Sequence, residues 1–270
     1  MTVKHTMSPD LYFALTPVIR MAVTVAFLIA ATVTAERAGP LIGGLVATLP
    51  ISAGPIYIFL AIDHDAHFIG ESALGSMLSN AVNIAFALTY CLLAQRRSLI
   101  EGLAGAFVMW GLLIWLLGNQ LQLGLWGTIA VNVIAVIIAL AVQKMLPSIH
   151  FPHMRTYWYD YILRAGLVAL LVGVVVTLSH HIGPAASGNL AVFPIVLTSI
   201  AIILHPRVGG RAAATVLAHS AVGLGGFGLS MLALHLTAEP LGSVWALVLT
   251  LAVSVAVNVV IFSIRRVKTA

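Results

Sequence analysis

Long apolar runs separated by brief polar punctuation make up this chain. Nine runs read as membrane spans, roughly 12–35, 39–62, 68–94, 99–117, 123–144, 158–179, 183–204, 211–236 and 241–264. A hydrocarbon core about 30 Å thick needs roughly 20 helical residues, and each run approaches or exceeds that length. Alternating strands of about ten residues, the mark of a membrane barrel, do not occur. The connections are short. The pattern therefore predicts an all-α integral membrane protein of nine transmembrane helices with no soluble domain. Val33-Thr34-Ala35 looks like a signal-peptide cleavage site. The long n-region with Asp10 argues instead that the first span is retained.

The runs repeat. GPLIGGLVATLPISAGPIYIFL, residues 39–60, aligns without a gap with GPAASGNLAVFPIVLTSIAIIL, residues 183–204, at an offset of 144 positions. Gly39, Pro40, Gly44, Ala47 and Pro50 meet Gly183, Pro184, Gly188, Ala191 and Pro194, and the same offset carries Arg20 onto Arg164. The copies begin at spans 1 and 6, an odd separation, so the second must run through the membrane inverted. This predicts a 4+1+4 plan: a first repeat over 1–122, an inverting linker helix and loop over 123–156, and a second repeat over 157–270. A competing match sets Val131-Asn132-Val133 on Val257-Asn258-Val259, but spans 5 and 9 run in the same direction.

Proline inside a helix removes a hydrogen bond and clashes with the preceding turn. In lipid, the freed carbonyl must be satisfied by protein, water or solute. Spans 2 and 7 are thus expected to be broken, with Pro50, Gly54, Pro55, Pro194 and Asn189 offering a binding site near the midplane, a plan recurrent in secondary transporters. The plain alternative is that proline and glycine kink membrane helices and let them pack closely.

Composition changes the picture only by confirming the solvent. The 270 residues are 61% hydrophobic and 8% charged, against about 25% charged in soluble domains. One cysteine, Cys91, excludes an intrachain disulfide. Charge adds orientation. If nine spans alternate, eleven of the thirteen lysines and arginines fall on one side, leaving Lys4 and Arg20 on the other. Basic residues mark the cytoplasmic side, so the N-terminus is expected outside and the C-terminus inside.

Few polar groups interrupt the spans. Arg20 and Arg164 are expected to approach the midplane from opposite faces and gate an anion; the alternative is snorkelling to the nearest interface. Asp63, His64, Asp65 and Glu71, with His67, cluster at the outer 2–3 loop, where they offer proton entry, a divalent-metal site or a solvated linker. His219 is the histidine well inside a span, expected either to pack by hydrogen bonding or to couple protons. Asn80, Asn83, Asn132 and Asn258 are expected to bond between helices. His150, His153, His180 and His181 sit at interfaces, with no role expected. No Ser/His/Asp set, phosphate loop, dinucleotide fingerprint or HExxH motif is present, so no enzyme, cofactor or bound metal is expected.

AGPLIGGLVATLPISAGPIYIFLAID, ESALGSM and AFVMWGLLIW resemble the small GlpM-like bacterial membrane proteins, which are about one repeat of about four spans. That resemblance runs from about residue 35 to 117 and, less closely, over 183–208. It implies a link to envelope polysaccharide, through alginate production in some bacteria. HPRVGGRAAATVLAHSAVG resembles HPP-type transporters, with His205-Pro206-Arg207 where that family has His-Pro-Pro. Together these features predict a secondary active transporter of a small polar or anionic solute, proton-coupled, in the bacterial inner membrane. The competing expectation is a membrane component of envelope polysaccharide or lipid assembly, including lipid flipping. Expected partners are the solute, protons and the bilayer, with a homodimer left open and no nucleic acid.

Overall fold

The computed structural model describes residues 9–37, 53–145 and 157–269. Pro50, the first half of span 2 and the linker loop with His150 and His153 lie outside the described residues. The helices are α1 (Pro9–Arg37), α2 (Ala53–Asp63), α3 (Ala66–Leu93), α4 (Leu99–Ile114), α5 (Leu125–Met145), α6 (Trp158–Ala191), α7 (Ile195–Val208), α8 (Gly210–Leu241) and α9 (Ser243–Thr269). A π-helical turn, Trp115–Gln120, extends α4. No strand occurs among the described residues. Among the described residues, six apolar helical stretches are long enough to cross a membrane, and one of them, Trp158–Val208, is 51 residues long. The chain is an α-helical, multi-pass membrane protein.

Local chemistry sets the helix starts. The Asp65 carboxylate accepts the Phe68 N–H at 2.8 Å and opens α3. Ser98 and Glu101 form a reciprocal capping box at α4. Gly209 (φ 81°) and Gly242 (φ 76°) precede α8 and α9 in the left-handed region, which glycine enters without a Cβ clash.

The boundary between spans 6 and 7 falls where the sequence places it. Helix α6 is two helical segments joined across a kink at Gly183 (φ 76°). Ser179 and His180 lie at the α2–α3 loop, whereas Asp160 meets Arg207 at the other end, so the chain reverses direction at Gly183. Pro184 restarts the helix at once because its fixed φ suits a first turn and its missing N–H is not needed there. A second interruption, inside the expected span 7, comes at Val192–Pro194, after which α7 begins. Pro194 has no N–H to carry the ladder through.

Helix α3 is the centre: 78% of its most apolar stretch lies inside the protein, against 11% for α4 and for α5. It makes its most extensive contact with α8 and also packs on α6, α4 and α5. Helix α9 packs on α8, α5 packs on α8 as well as α3, α4 meets α7, and α9 meets α2.

Candidate functional site

Ser72, Ser76, Ser79 and Asn83 stand at spacings of four, three and four along α3, which puts them on one helix face. That face meets the C-terminal part of α6 and the interruption after it. Ser72 Oγ donates to the Pro184 carbonyl (3.1 Å), Ser76 Oγ to Gly188 (2.7 Å), Ser79 Oγ to Asn189 (3.2 Å) and Asn83 Nδ2 to Val192 (2.6 Å). The last reaches the carbonyl beside the break. An unsatisfied carbonyl in hydrocarbon costs several kcal/mol, whereas an interhelical hydrogen bond in a membrane averages only about 0.6 kcal/mol. At Gly188, Asn189 and Val192, in or just after the last turn where carbonyls have no intrahelical partner, the ladder therefore acts chiefly by preventing a penalty.

Tyr57 on α2 joins at 2.7 Å from Ser76 Oγ. Since Ser76 gives its one proton to Gly188, Tyr57 is the donor. Trp110 Nε1 donates to Asn83 Oδ1 at 2.8 Å, so α4 braces the same line. Backbones touch here: a Cβ on Gly188 would lie 1.8 Å from the Ser72 carbonyl oxygen, and one on Gly75 2.4 Å from that of Ala185. Flanking this face of α3, Asn80 Nδ2 donates to Asn132 Oδ1 and to the Leu224 carbonyl, both at 3.0 Å. Asn80 Oδ1 and Asn189 Oδ1 are buried acceptors without a hydrogen-bond donor.

Two ion pairs bracket the seam. At one end Arg20 makes a two-point pair with Asp63, its Nη1 on Oδ2 and its Nη2 on Oδ1 at 2.6 Å, under the Phe59 ring. His180 lies 4.0 Å from the same carboxylate, and its ring sits 4.7 Å from that of His64. His64 Nε2 is 2.9 Å from Ser179 Oγ, which already donates to the Val176 carbonyl; His64 is therefore the donor. Its ring also stacks on Phe68 at 3.7 Å. Burial, and next the neighbouring His180, hold the His64 pKa below its usual value. His67 and Glu239 pair at 2.6 Å nearby. At the other end Arg207 grips Asp160 at 2.8 and 2.6 Å, with Tyr157 and Tyr159 flanking the guanidinium. Tyr90 and His205 meet there at 2.7 Å.

The residues expected from sequence divide accordingly. Arg20, Asp63 and His64 come together, at the loop end of α2. Asp65 is spent as the α3 cap, and Glu71 is half-buried one turn beyond His67. Arg164 is exposed, one turn from Asp160. Gly54 and buried Pro55 occupy the first turn of α2, with open space where a Gly54 Cβ would go. Pro194 is buried at the break, beside Asn189. His219 is exposed on α8, its Nδ1–H donating to the Thr215 carbonyl of its own helix at 2.7 Å. Asn80, Asn83 and Asn132 do bond between helices; Asn258 Nδ2 bonds within its own helix, to the Ser254 carbonyl. Sequence reasoning missed the serine face of α3, legible in its 4–3–4 spacing. It also missed His180 and the Asp160–Arg207 pair, whose partners are distant in the chain. Among the described residues no group of three or more His, Cys, Asp or Glu side chains is placed to hold a metal.

Comparison with protein-family models, with curated proteins and with solved structures finds no match to this chain.

Proposed function

We propose that the chain is a secondary active transporter of a small polar or anionic solute, coupled to protons, in the bacterial inner membrane. The observation that carries the reading is the interruption at Val192–Pro194. It is lined by the polar face of α3, and beside it Asn189 Oδ1 is a buried acceptor in need of a donor. Helix α7 has 14 residues, so at 1.5 Å each the break lies roughly 20 Å from its far end, within a 30 Å core. A solute N–H or O–H group would satisfy the orphaned amide, as broken helices do for solutes in transporters.

A 4+1+4 inverted duplication is part of the proposal. Helices α3 and α8 start at Ala66 and Gly210, and α4 and α9 at Leu99 and Ser243; each pair stands 144 positions apart, the offset of the sequence match. Contacts recur in pairs: α3–α4 with α8–α9, α3–α5 with α8–α5, α4–α7 with α9–α2. The offset also carries Asp63 onto Arg207. Asp63 and Arg207 are then equivalent positions of opposite charge, and each finds its partner on the first helix of its repeat, Arg20 and Asp160. Arg164, the equivalent of Arg20, stands one turn from Asp160. Arg20–Asp63 is the outer gate and Asp160–Arg207 the inner one. Residues assigned to one side by the basic-residue count meet one another, as His67 meets Glu239 outside and Tyr90 meets His205 inside. This supports the alternation of spans, and the basic-residue count then sets the N-terminus outside and the C-terminus inside.

Uptake into proteoliposomes under an imposed pH gradient, with lactate, succinate, glutamate and inorganic phosphate as probes, tests the reading. At least one probe should accumulate and be lost with a protonophore, and Asn189→Leu should cut that uptake at least tenfold without lowering thermal stability. A folded protein that moves none of them but equilibrates fluorescent phospholipids between leaflets would favour the second reading, lipid or polysaccharide-intermediate handling.

A further inference from the structure

Helices α4 and α5 both pack on α3 but leave between them an apolar cavity of about 300 Å³, lined among others by Leu88, Leu92, Met109, Leu113, Ile134 and Ile138. Leu92, Ile134 and Ile138 are exposed, so it opens to the surrounding lipid. Helix direction locates its ends. Tyr90 lies against Gly102, and Leu78 against Gly118, so α4 runs antiparallel to α3. Leu125 and Ile129 pack on the buried cluster that holds the first half of α3 (Ile69, Ala73, Met77), whereas Val142 packs on the one that holds its second half (Ile84 to Ala94), so α5 runs parallel to α3. The C-terminal ends of α3 and α5 therefore share one membrane face.

That face is basic. Arg96 and Arg97 follow Leu92 by four and five residues, and Lys144 follows Ile138 by six, about 9 Å further along α5; all three are exposed. The charge opposing them nearby is Glu101, 3.9 Å from Arg97. Apolar contact alone would not select an occupant, because lipid tails and leucine are equally apolar. Here a concave chain-shaped surface leads to three cations. We propose that this groove holds one anionic glycerophospholipid, an acyl chain along α3 between α4 and α5 and the phosphate at Arg96, Arg97 and Lys144. Basic pockets between helices on the cytoplasmic side are the recurrent setting for such headgroups. The lipid is resident and not cargo: Thr89 is the one hydroxyl in the lining, so no polar track carries a headgroup along the groove.

Native mass spectrometry of the protein released from nanodiscs, titrated with dioleoyl phosphatidylglycerol or dioleoyl phosphatidylcholine, decides it. Each basic residue near a headgroup contributes about fivefold. Phosphatidylglycerol should therefore be retained at least tenfold more strongly, as one molecule per chain. Arg96→Gln/Arg97→Gln/Lys144→Gln should abolish the preference but not chain-dependent retention. Dihexanoyl phosphatidylglycerol should bind the native protein more weakly than the dioleoyl form, and glycerol phosphate not measurably. Equal retention of the two headgroups, a preference that survives the triple substitution, or a dimer that excludes lipid would each overturn the proposal.

Discussion

Arg20 and Arg207 each close a two-point ion pair on the end of a short helix, and neither partner is freely hydrated. Asp160 is only 4% exposed at its side chain. Removing one member strands the other charge, which costs about 3–5 kcal/mol in a buried pair and about 1 kcal/mol or less at a surface. Asp160→Asn should therefore lower stability by about 2–4 kcal/mol, read as a drop in the thermal unfolding midpoint in detergent; an unchanged midpoint would show that the pair contributes nothing. His64 supplies a pH dependence. Its folded-state pKa is depressed, so between that value and about 6.5 the unfolded chain binds a proton that the folded one does not. Stability should be flat above pH 6.5 and fall as the medium is acidified below it. Groups facing His64 are Asp63 on α2, Arg20 on α1, Asp65, Phe68 on α3, and Ser179 and His180 on α6. His64→Gln should flatten the acid limb, leaving what those neighbours titrate; an identical limb would assign the effect elsewhere. His219→Gln tests proton coupling separately: pH-dependent uptake should vanish while folding is kept, and an unaltered pH profile would leave His219 bonded to its own helix and nothing more.

Among the elements, the contact of α3 with the C-terminal part of α6 is the least tolerant. Gly188→Ala would force a Cβ into the Ser72 carbonyl, backbone against backbone, and should cost about 3 kcal/mol or more, since overpacking by even a methylene costs about 1–3. Gly54→Ala, with open space at its Cβ, should be near neutral. Equal midpoints for the two variants would contradict the seam. Pro194→Ala should damage uptake more than stability, because a restored N–H lets α6 and α7 fuse and closes the break. What could be read beforehand was what proline and hydrophobicity dictate locally: the all-helical class and a disruption at Pro194. The reversal at Gly183-Pro184 was legible in the same way, as a glycine stop followed by a proline that opens a new turn. The carbonyl ladder was not. Ser72, Ser76 and Ser79 have the spacing of a face, but small residues on a membrane helix signal close packing as often as polar recognition.

Across the whole molecule, α3 and α8 form the centre, α4 and α9 flank them, and α5 bridges both. Such pairing follows if one four-helix unit was duplicated and inverted, so that equivalent helices meet about a two-fold axis in the membrane plane. The broken segment then gives each half a place for a solute, and the two ion pairs give each face a gate. The inverted duplication is proposed from the odd span separation and the distribution of arginine, with the paired contacts as support. The contact of His64 with His180 was not legible, because it joins groups more than a hundred residues apart. The most direct test uses the equivalent exposed positions His67 and Arg211, at the starts of α3 and α8 and 144 residues apart. In intact spheroplasts treated with a membrane-impermeant maleimide, on a Cys91→Ser background, His67→Cys should label from outside. Arg211→Cys should label only after the membrane is permeabilised. Labelling of both from the same side would contradict the inverted duplication and the two-gate mechanism built on it.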